Sequence, residues 1–447
     1  VTAAGHGIPE SAFLALAAGA GGEAAVRYLR AAEHGKHLLL VRHLRDVAES
    51  TGHPGAGRTR EAYAVLAEIE KADPDAVAAV LRYPTVGVWA RRTLLALQGH
   101  GTLPARPEQM AALAAAAAVR AGRAADIEVP AGRGTVLLPS LGRAVFPAGT
   151  GSAVVRAGHR PSLTADGLTI CVPADPHEDA PGWQALRVLT AEHRGSRARF
   201  VLDDLDPDRM PGATVLSRRL TGPELARWRA TLRRAWALLA RRHWTICAET
   251  TGAVTALTPL ASDGAGHTSA TARHAFGAVG LSPPYGSRFL SVTFAHEVQH
   301  TKLTALLDLV ALTEPDDGRR YYAPWRNDPR PVAGLLQGAY AHLGIAGFWR
   351  RQRHHEPSAL ALSAHTDFVR WRDAALWIAR TLVASGRLTA PGETFVAGMC
   401  RTLEAWRREP VPPPAIVAAR TEADRHLSDR CADHGPLVPV QQATRPR

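Results

Sequence analysis

The stretch FLSVTFAHEVQHTKLTALLDLV, Phe289 to Val310, constrains this chain more than any other, because it asks one apolar helix to carry an HExxH spacing. At about 100° per residue, four residues return two side chains nearly to one face, so His296 and His300 can reach a single ion together. Leu303 and Leu307 continue that face. Glu297 lies about 100° round, on a flank shared with Thr304 and Asp308; a carboxylate there can hold a water or an imidazole but is poorly placed as a third ligand. The spacing predicts a metal site in a packed helical setting.

The rest of the chain falls into three textures. From Pro9 to about Arg123, alanine, leucine and arginine dominate and apolar residues recur at spacings of three and four, as in Phe13 to Leu29, Lys36 to Ala48 and Val88 to Leu97. Trp89 is expected in a core. His34, His37 and His43 read as a solvated run on a helix. Between about Asp126 and Met210, short β-type runs are punctuated by glycine, proline and aspartate, which predicts a small antiparallel sheet. The DDLDPDR segment, Asp203 to Arg209, lacks the glycine and distal glutamate of a calcium loop, so it reads as turn and cap chemistry, as do His177, Glu178 and Asp179.

Thr221 opens a helix with Pro223 just inside its start. Arg241 to Thr258 reads as extended, with Cys247 and Glu249 in it. A glycine-rich loop, Asp263 to His274, is suited to covering a site, and a turn at Pro283 to Gly286 leads into the HExxH helix. Helices follow over Val332 to Arg350 and Ser358 to Arg407, with Trp371 and Trp377 as core residues, and the tail beyond Leu437 is expected to fray. The expected fold is α+β and mostly helical, not a jelly roll: a helical segment over 1–125, a small β-rich region over 126–215, and a helical HExxH domain over 216–447.

A chain of 447 residues buries a sizeable core and exceeds what one core usually supports. The four cysteines, Cys171, Cys247, Cys400 and Cys431, form no CxxC pair, and the first residues lack a charged-then-apolar signal, which predicts a reduced, cytoplasmic protein. Val1 in place of a methionine suggests a segment of a longer polypeptide. The longest apolar runs, such as Ala111 to Val119, fall short of the roughly 20 residues that span a bilayer. The net charge of +12 comes from arginine scattered through every region, with lysine at 36, 71 and 302, rather than from a basic and aromatic recognition surface. Nucleic acid is therefore not the expected partner, although an acidic peptide would be attracted by such a field.

The open question is the third ligand. The metzincin extension wants a glycine and a histidine where this chain has Leu303 and Leu306, and a gluzincin wants a glutamate on a following helix, yet Val332 to Arg350 contains no acid. The acids between His300 and Arg350 are Asp308, Glu314, Asp316, Asp317 and Asp328. Asp308 lies about 12 Å along the axis from His300 and about 18 Å from His296. Glu314, Asp316 and Asp317 sit in a solvated turn, which leaves Asp328 as the expected carboxylate. One face of the next helix runs Arg330, Gly334, Gln337, Ala341, Gly344, with Gly338 beside it, small enough to seat the HExxH helix closely while Arg330 and Gln337 project toward the site.

The motifs HEVQHTKLTALLDL and YYAPWRNDPRPVAGLLQGAYAHLGIAGFW resemble the HExxH domain of bacterial peptide-modifying proteins, often fused behind a radical-SAM domain. The resemblance covers roughly Arg242 to Arg350; a CxxxCxxC cluster is missing, so the radical-SAM portion would belong to another part of a longer polypeptide. It implies an iron(II), 2-oxoglutarate-dependent oxygenase that β-hydroxylates a ribosomally made precursor peptide. Two histidines and a carboxylate leave three iron positions, two for the keto acid and one for dioxygen. Arg330 would bind the distal carboxylate of 2-oxoglutarate, with Arg326 and Tyr322 as weaker candidates. Gln337 and His342 would line the pocket, although His342 projects about 140° from Gln337 and core burial suits it better than ligation. Glu297 would orient a ligand or water. The rival readings are a zinc peptidase that trims a leader peptide, with Glu297 as base, and a non-catalytic metal-containing binding module.

Overall fold

The computed structural model describes residues 7–262, 267–283 and 286–445. Val1, Asp263 to Gly266 of the glycine-rich loop and Pro284 to Tyr285 of the turn lie outside the described residues. The protein is 55% helical with 16% strand, an α+β fold of mostly helical character with no barrel among the described residues.

The N-terminal third consists of α1 (Glu10–Ala17), α2 (Gly22–Ser50), α3 (Ala56–Ala72), α4 (Pro74–Leu81), α5 (Pro84–Leu97) and α6 (Met110–Arg120). Asp73 shows why one helix stops and the next starts: its carboxylate accepts the Ala76 amide at 3.0 Å, and Pro74 sets the first turn. In α6, Met110 to Ala118 are all buried, small side chains letting a helix sink between neighbours.

The β region holds β1 (Ala125–Pro130), β2 (Thr135–Leu138), β3 (Gly142–Val145), β4 (Ser152–Ala157), β5 (Ser162–Ala165), β6 (Leu168–Cys171), β7 (Trp183–Ala185), β8 (Arg187–His193) and β9 (Ser196–Leu202). Two antiparallel sheets form, in the orders β1-β4-β5-β6 and β2-β3-β7. β8 and β9 join a different sheet. β9 pairs in parallel with β10 (Ala256–Pro259), which pairs in parallel with β12 (Ala278–Leu281); β11 (Ser269–Ala270) closes that sheet antiparallel to β12. This mixed sheet crosses residue 215, where the texture of the sequence changes. One core also joins the first two textures, running from Val41 and Leu66 through Ala114 to Val129, Val155 and Trp183.

Between the strands lie α7 (Gly222–Arg242), opened by a capping box of Thr221 and Glu224, and α8 (Trp244–Ala253). The extended reading of Arg241 to Thr258 is corrected here. Burial of Cys247, Glu249 and Ala253 outweighs the β preference of its threonines and Ile246, and only β10 is extended.

Then come α9 (Ser287–Leu307), the hairpin β13 (Tyr321–Ala323) and β14 (Arg326–Arg330), α10 (Val332–Gln352), α11 (Ser358–Ala384), α12 (Ala390–Arg407), α13 (Pro413–His434) and α14 (Pro439–Thr444). The tail docks rather than frays: the Gln441 amide exchanges hydrogen bonds with the backbone of Tyr322 at 2.8 and 2.9 Å. α9 is buried on nearly every side. Phe294 and Val298 enter a core with Phe200, Trp236 and Phe348, whereas Leu303 and Leu306 enter another with Phe13, Tyr340 and Phe395. Burying each such side chain is worth about 1.5–3 kcal/mol, which holds the HExxH helix from two sides.

Candidate metal centre

α9 and α10 approach closely because of Gly344. A Cβ there would stand 2.4 Å from the Ala295 carbonyl oxygen and 2.6 Å from Gln299 Cγ, so only glycine fits. The small-residue face of α10 thus meets the HExxH helix beside His296. Its other glycines serve different neighbours: Gly338 seats the Trp325 indole, 2.4 Å from where a Cβ would be, and Gly334 underlies the Arg330 guanidinium.

The Nε2 atoms of His296 and His300 face each other at 3.1 Å. Two imidazole nitrogens each about 2.0–2.1 Å from one ion stand roughly 3 Å apart at a near-right angle, so the pair fits a shared metal. His300 Nδ1 lies 3.0 Å from Gln337 Oε1, and Gln337 Nε2 reaches Thr304 Oγ1 at 3.5 Å. With the amide oriented that way, His300 donates from Nδ1 and keeps the Nε2 lone pair for a ligand role.

The third group beside this pair is His342, on α10. Its ring centre is 5.3 Å from that of His296, nearly perpendicular to it. His342 Nδ1 is 2.8 Å from the Gly338 carbonyl, so that nitrogen carries the proton and Nε2 is again the free donor. Trp325 stacks on the ring at 4.4 Å and Trp371 tilts against it at 4.8 Å. Among the described residues no three His, Cys, Asp or Glu side chains are gathered closely enough to hold a metal ion together. The arrangement is a facing pair with a third imidazole alongside.

Burial, followed by the neighbouring His300 and His342, pushes His296 well below the usual histidine range, and burial pushes His342 down to about 3. Both rings are neutral at pH 7, the form that binds metal. His296 Nδ1 is buried without a hydrogen-bond partner among the described residues, yet 22% of the side chain stays exposed, which leaves the pair reachable from solvent.

Glu297 is the acid found with these histidines. Its Oε1 accepts the Ser269 hydroxyl at 2.6 Å and lies 3.8 Å from His296 Nε2; its Oε2 is buried without a partner among the described residues. Burial raises its pKa, while His300 and the Ser269 and Thr271 hydroxyls pull it back. Ser269 belongs to β11, inside the Asp263 to His274 stretch, so that stretch does touch the site.

The remaining sequence candidates lie elsewhere. Asp328, on β14, is 51% exposed at its side chain and binds the guanidinium groups of Arg326 at 2.5 Å and Arg330 at 3.1 Å. Its partners are cations rather than the histidine pair. Arg330 ends β14 and folds over Gly334, on the α10 face that carries Gln337. Tyr322 is buried with Trp377 and Leu427, its hydroxyl 2.8 Å from His426 Nδ1, in a cluster separate from the histidines. No protein-family model matches this chain, and no curated protein is detectably similar to it.

Proposed function

We propose that the chain is a non-haem iron(II)- and 2-oxoglutarate-dependent oxygenase that β-hydroxylates a residue of a ribosomally made precursor peptide. The observation that carries this reading is the pair of facing imidazoles, Nε2 to Nε2 at 3.1 Å, with a third ring beside them whose Nδ1 is fixed by a carbonyl. His296, His300 and His342 would hold the ion, with Glu297 the adjacent carboxylate; imidazole donors suit iron as well as zinc. Iron, when bound, supplies the electron chemistry that couples keto-acid decarboxylation to hydroxylation of an unactivated carbon.

The protein's residues have definite tasks in this scheme. Gln337 holds the His300 ring in register, and Trp325 with Trp371 does the same for His342. Arg330, half-exposed and already paired with one carboxylate, exchanges Asp328 for the distal carboxylate of the keto acid, which its planar fork accepts with two hydrogen bonds. Glu297 holds a proton or a water at Oε2. The net charge of +12 draws in an acidic peptide.

A zinc peptidase is the second reading, and Glu297 favours it: a buried carboxylate of raised pKa near the metal pair is what a general base requires. Metal content after purification without added iron, followed by turnover of candidate peptides with iron(II) and 2-oxoglutarate, separates the two. Succinate and a peptide one oxygen heavier are expected. Peptide cleavage independent of 2-oxoglutarate would replace the oxygenase with the peptidase, and unchanged metal content in His296→Ala would sink both.

A further inference from the structure

We infer that the cavity between α2, the end of α4 and α8 binds a small oxyanion, a carboxylate or a phosphate, through Arg30, His34 and Arg82. This site is independent of the metal centre and of the function proposed for it. Arg30, His34 and His37 recur at spacings of four and three along one side of α2, and Arg82 faces them from the C-cap of α4. Gly252 and Phe276 complete the wall of a narrow, partly enclosed pocket.

The cavity is lined by cations that lack counter-ions. Other inward-facing arginines are held by acids or carbonyls: Arg187 binds Asp204, Arg353 binds Glu409 at 2.7 Å, and Arg430 donates to the Gly435 carbonyl at 2.6 Å. Arg30 and Arg82 have no acidic partner among the described residues, and Arg82 Nε and His34 Nδ1 are buried without any hydrogen bond there. Leaving such donors unmade is unfavourable in a buried setting. Glu33, the acid in the wall, is committed to Lys36, which also binds Asp308 at 2.7 Å. His37 belongs to the wall: its Nδ1 is 2.6 Å from the Leu81 carbonyl, and its other edge packs on Gly87. Burial and the two arginines hold His34 down to about 4, so at neutral pH it is an uncharged ring with one N–H to donate. Two guanidinium forks and a ring N–H converging on one space match the acceptors of a small oxyanion.

Calorimetry and thermal denaturation of the full chain test this, with sodium phosphate and sodium succinate as probes and sodium chloride at matched ionic strength as control. Saturable binding of one phosphate or one succinate per chain is expected, with Kd at least tenfold weaker in Arg30→Gln and in Arg82→Gln. Whichever probe binds tighter assigns the ligand as phosphorylated or carboxylic. Should Arg82→Gln fail to fold, Arg82→Lys, which keeps the charge and loses the fork, is expected to bind with intermediate affinity. A response no larger than that to chloride, or wild-type binding in a folded Arg30→Gln, Arg82→Lys double variant, overturns the site.

Discussion

The residue that most changes the picture of the centre is His342. Its spacing from Gln337 suits a core position, and burial there is real, yet the ring lies against His296 with Nδ1 tied to a carbonyl. Metal content and titrated affinity are therefore expected to fall by one to two orders of magnitude in His342→Ala, and to stay at the wild-type level in Asp328→Ala, whose carboxylate serves two arginines. The reverse pattern would return Asp328 to the donor set. The sequence already marks His342 as a pocket residue but favours core burial over ligation; the further signal is Trp325, a bulky aromatic before a helix with a glycine at 338 to receive it. His34 and His37 corrected their own reading as solvated, since both turn inward on α2. The DDLDPDR turn is also more than a surface feature. Asp203 caps the Leu205 and Asp206 amides and receives the Tyr83 hydroxyl at 2.6 Å, all buried. Burial and the Asp203 carboxylate push Asp206 up to about 7; Thr85, Arg209 and Asp208 are its other polar neighbours. The folded state then keeps a proton that the unfolded chain loses near pH 4, so stability falls as pH rises from about 4 to about 7, by on the order of a few kcal/mol. Urea midpoints between pH 5 and 8 are expected to slope downward in the wild type and to flatten in Asp206→Asn; equal slopes would refute the assignment.

At the scale of elements, the α9–α10 pair decides whether the site exists. Gly344→Ala drives a methyl into the Ala295 carbonyl, one residue from His296, and a clash with backbone cannot be relieved by a rotamer change. A loss of about 1–3 kcal/mol in urea denaturation is expected, with weaker metal binding alongside. If Gly344→Ala behaves as wild type in both, the helices are not seated as described. These two helices were legible beforehand because their patterns are local: the HExxH stretch and the small-residue face place α9 and α10 within a few residues of their true ends. The same holds for the Thr221 cap. α8 was not legible, because Ile246 and its threonines favour strand and only the packing of Cys247 and Glu249 against the rest of the molecule makes the segment helical. Sheet membership was equally hidden. Nothing in the alternation of β9 announces that, besides its neighbour β8, it pairs with β10, more than fifty residues later.

For the whole molecule, the N-terminal helices are structurally bound to the HExxH helix. Lys302, fully buried two residues beyond His300, binds Glu249 of α8 at 2.7 Å and the Ala20 carbonyl at 3.0 Å, while the other Glu249 oxygen accepts the Gly22 amide at 2.9 Å. Lys302→Met leaves that carboxylate buried and unpaired, so a loss of about 3–5 kcal/mol is expected, largely recovered when Glu249→Gln is added. Denaturation of the single and double variants measures this, and an additive result would mean that the pair is not coupled. No helix among the described residues is long and apolar enough to cross a membrane. The same Gly22–Glu249–Lys302 junction sets an order of events during synthesis. The first of these residues leaves the ribosome some 280 positions before the last, and contacts so distant in sequence form late. Gly22 therefore gains its acceptor only once α8 has been made, and Glu249 gains the Lys302 ammonium only once the HExxH helix, which carries both histidines, has followed.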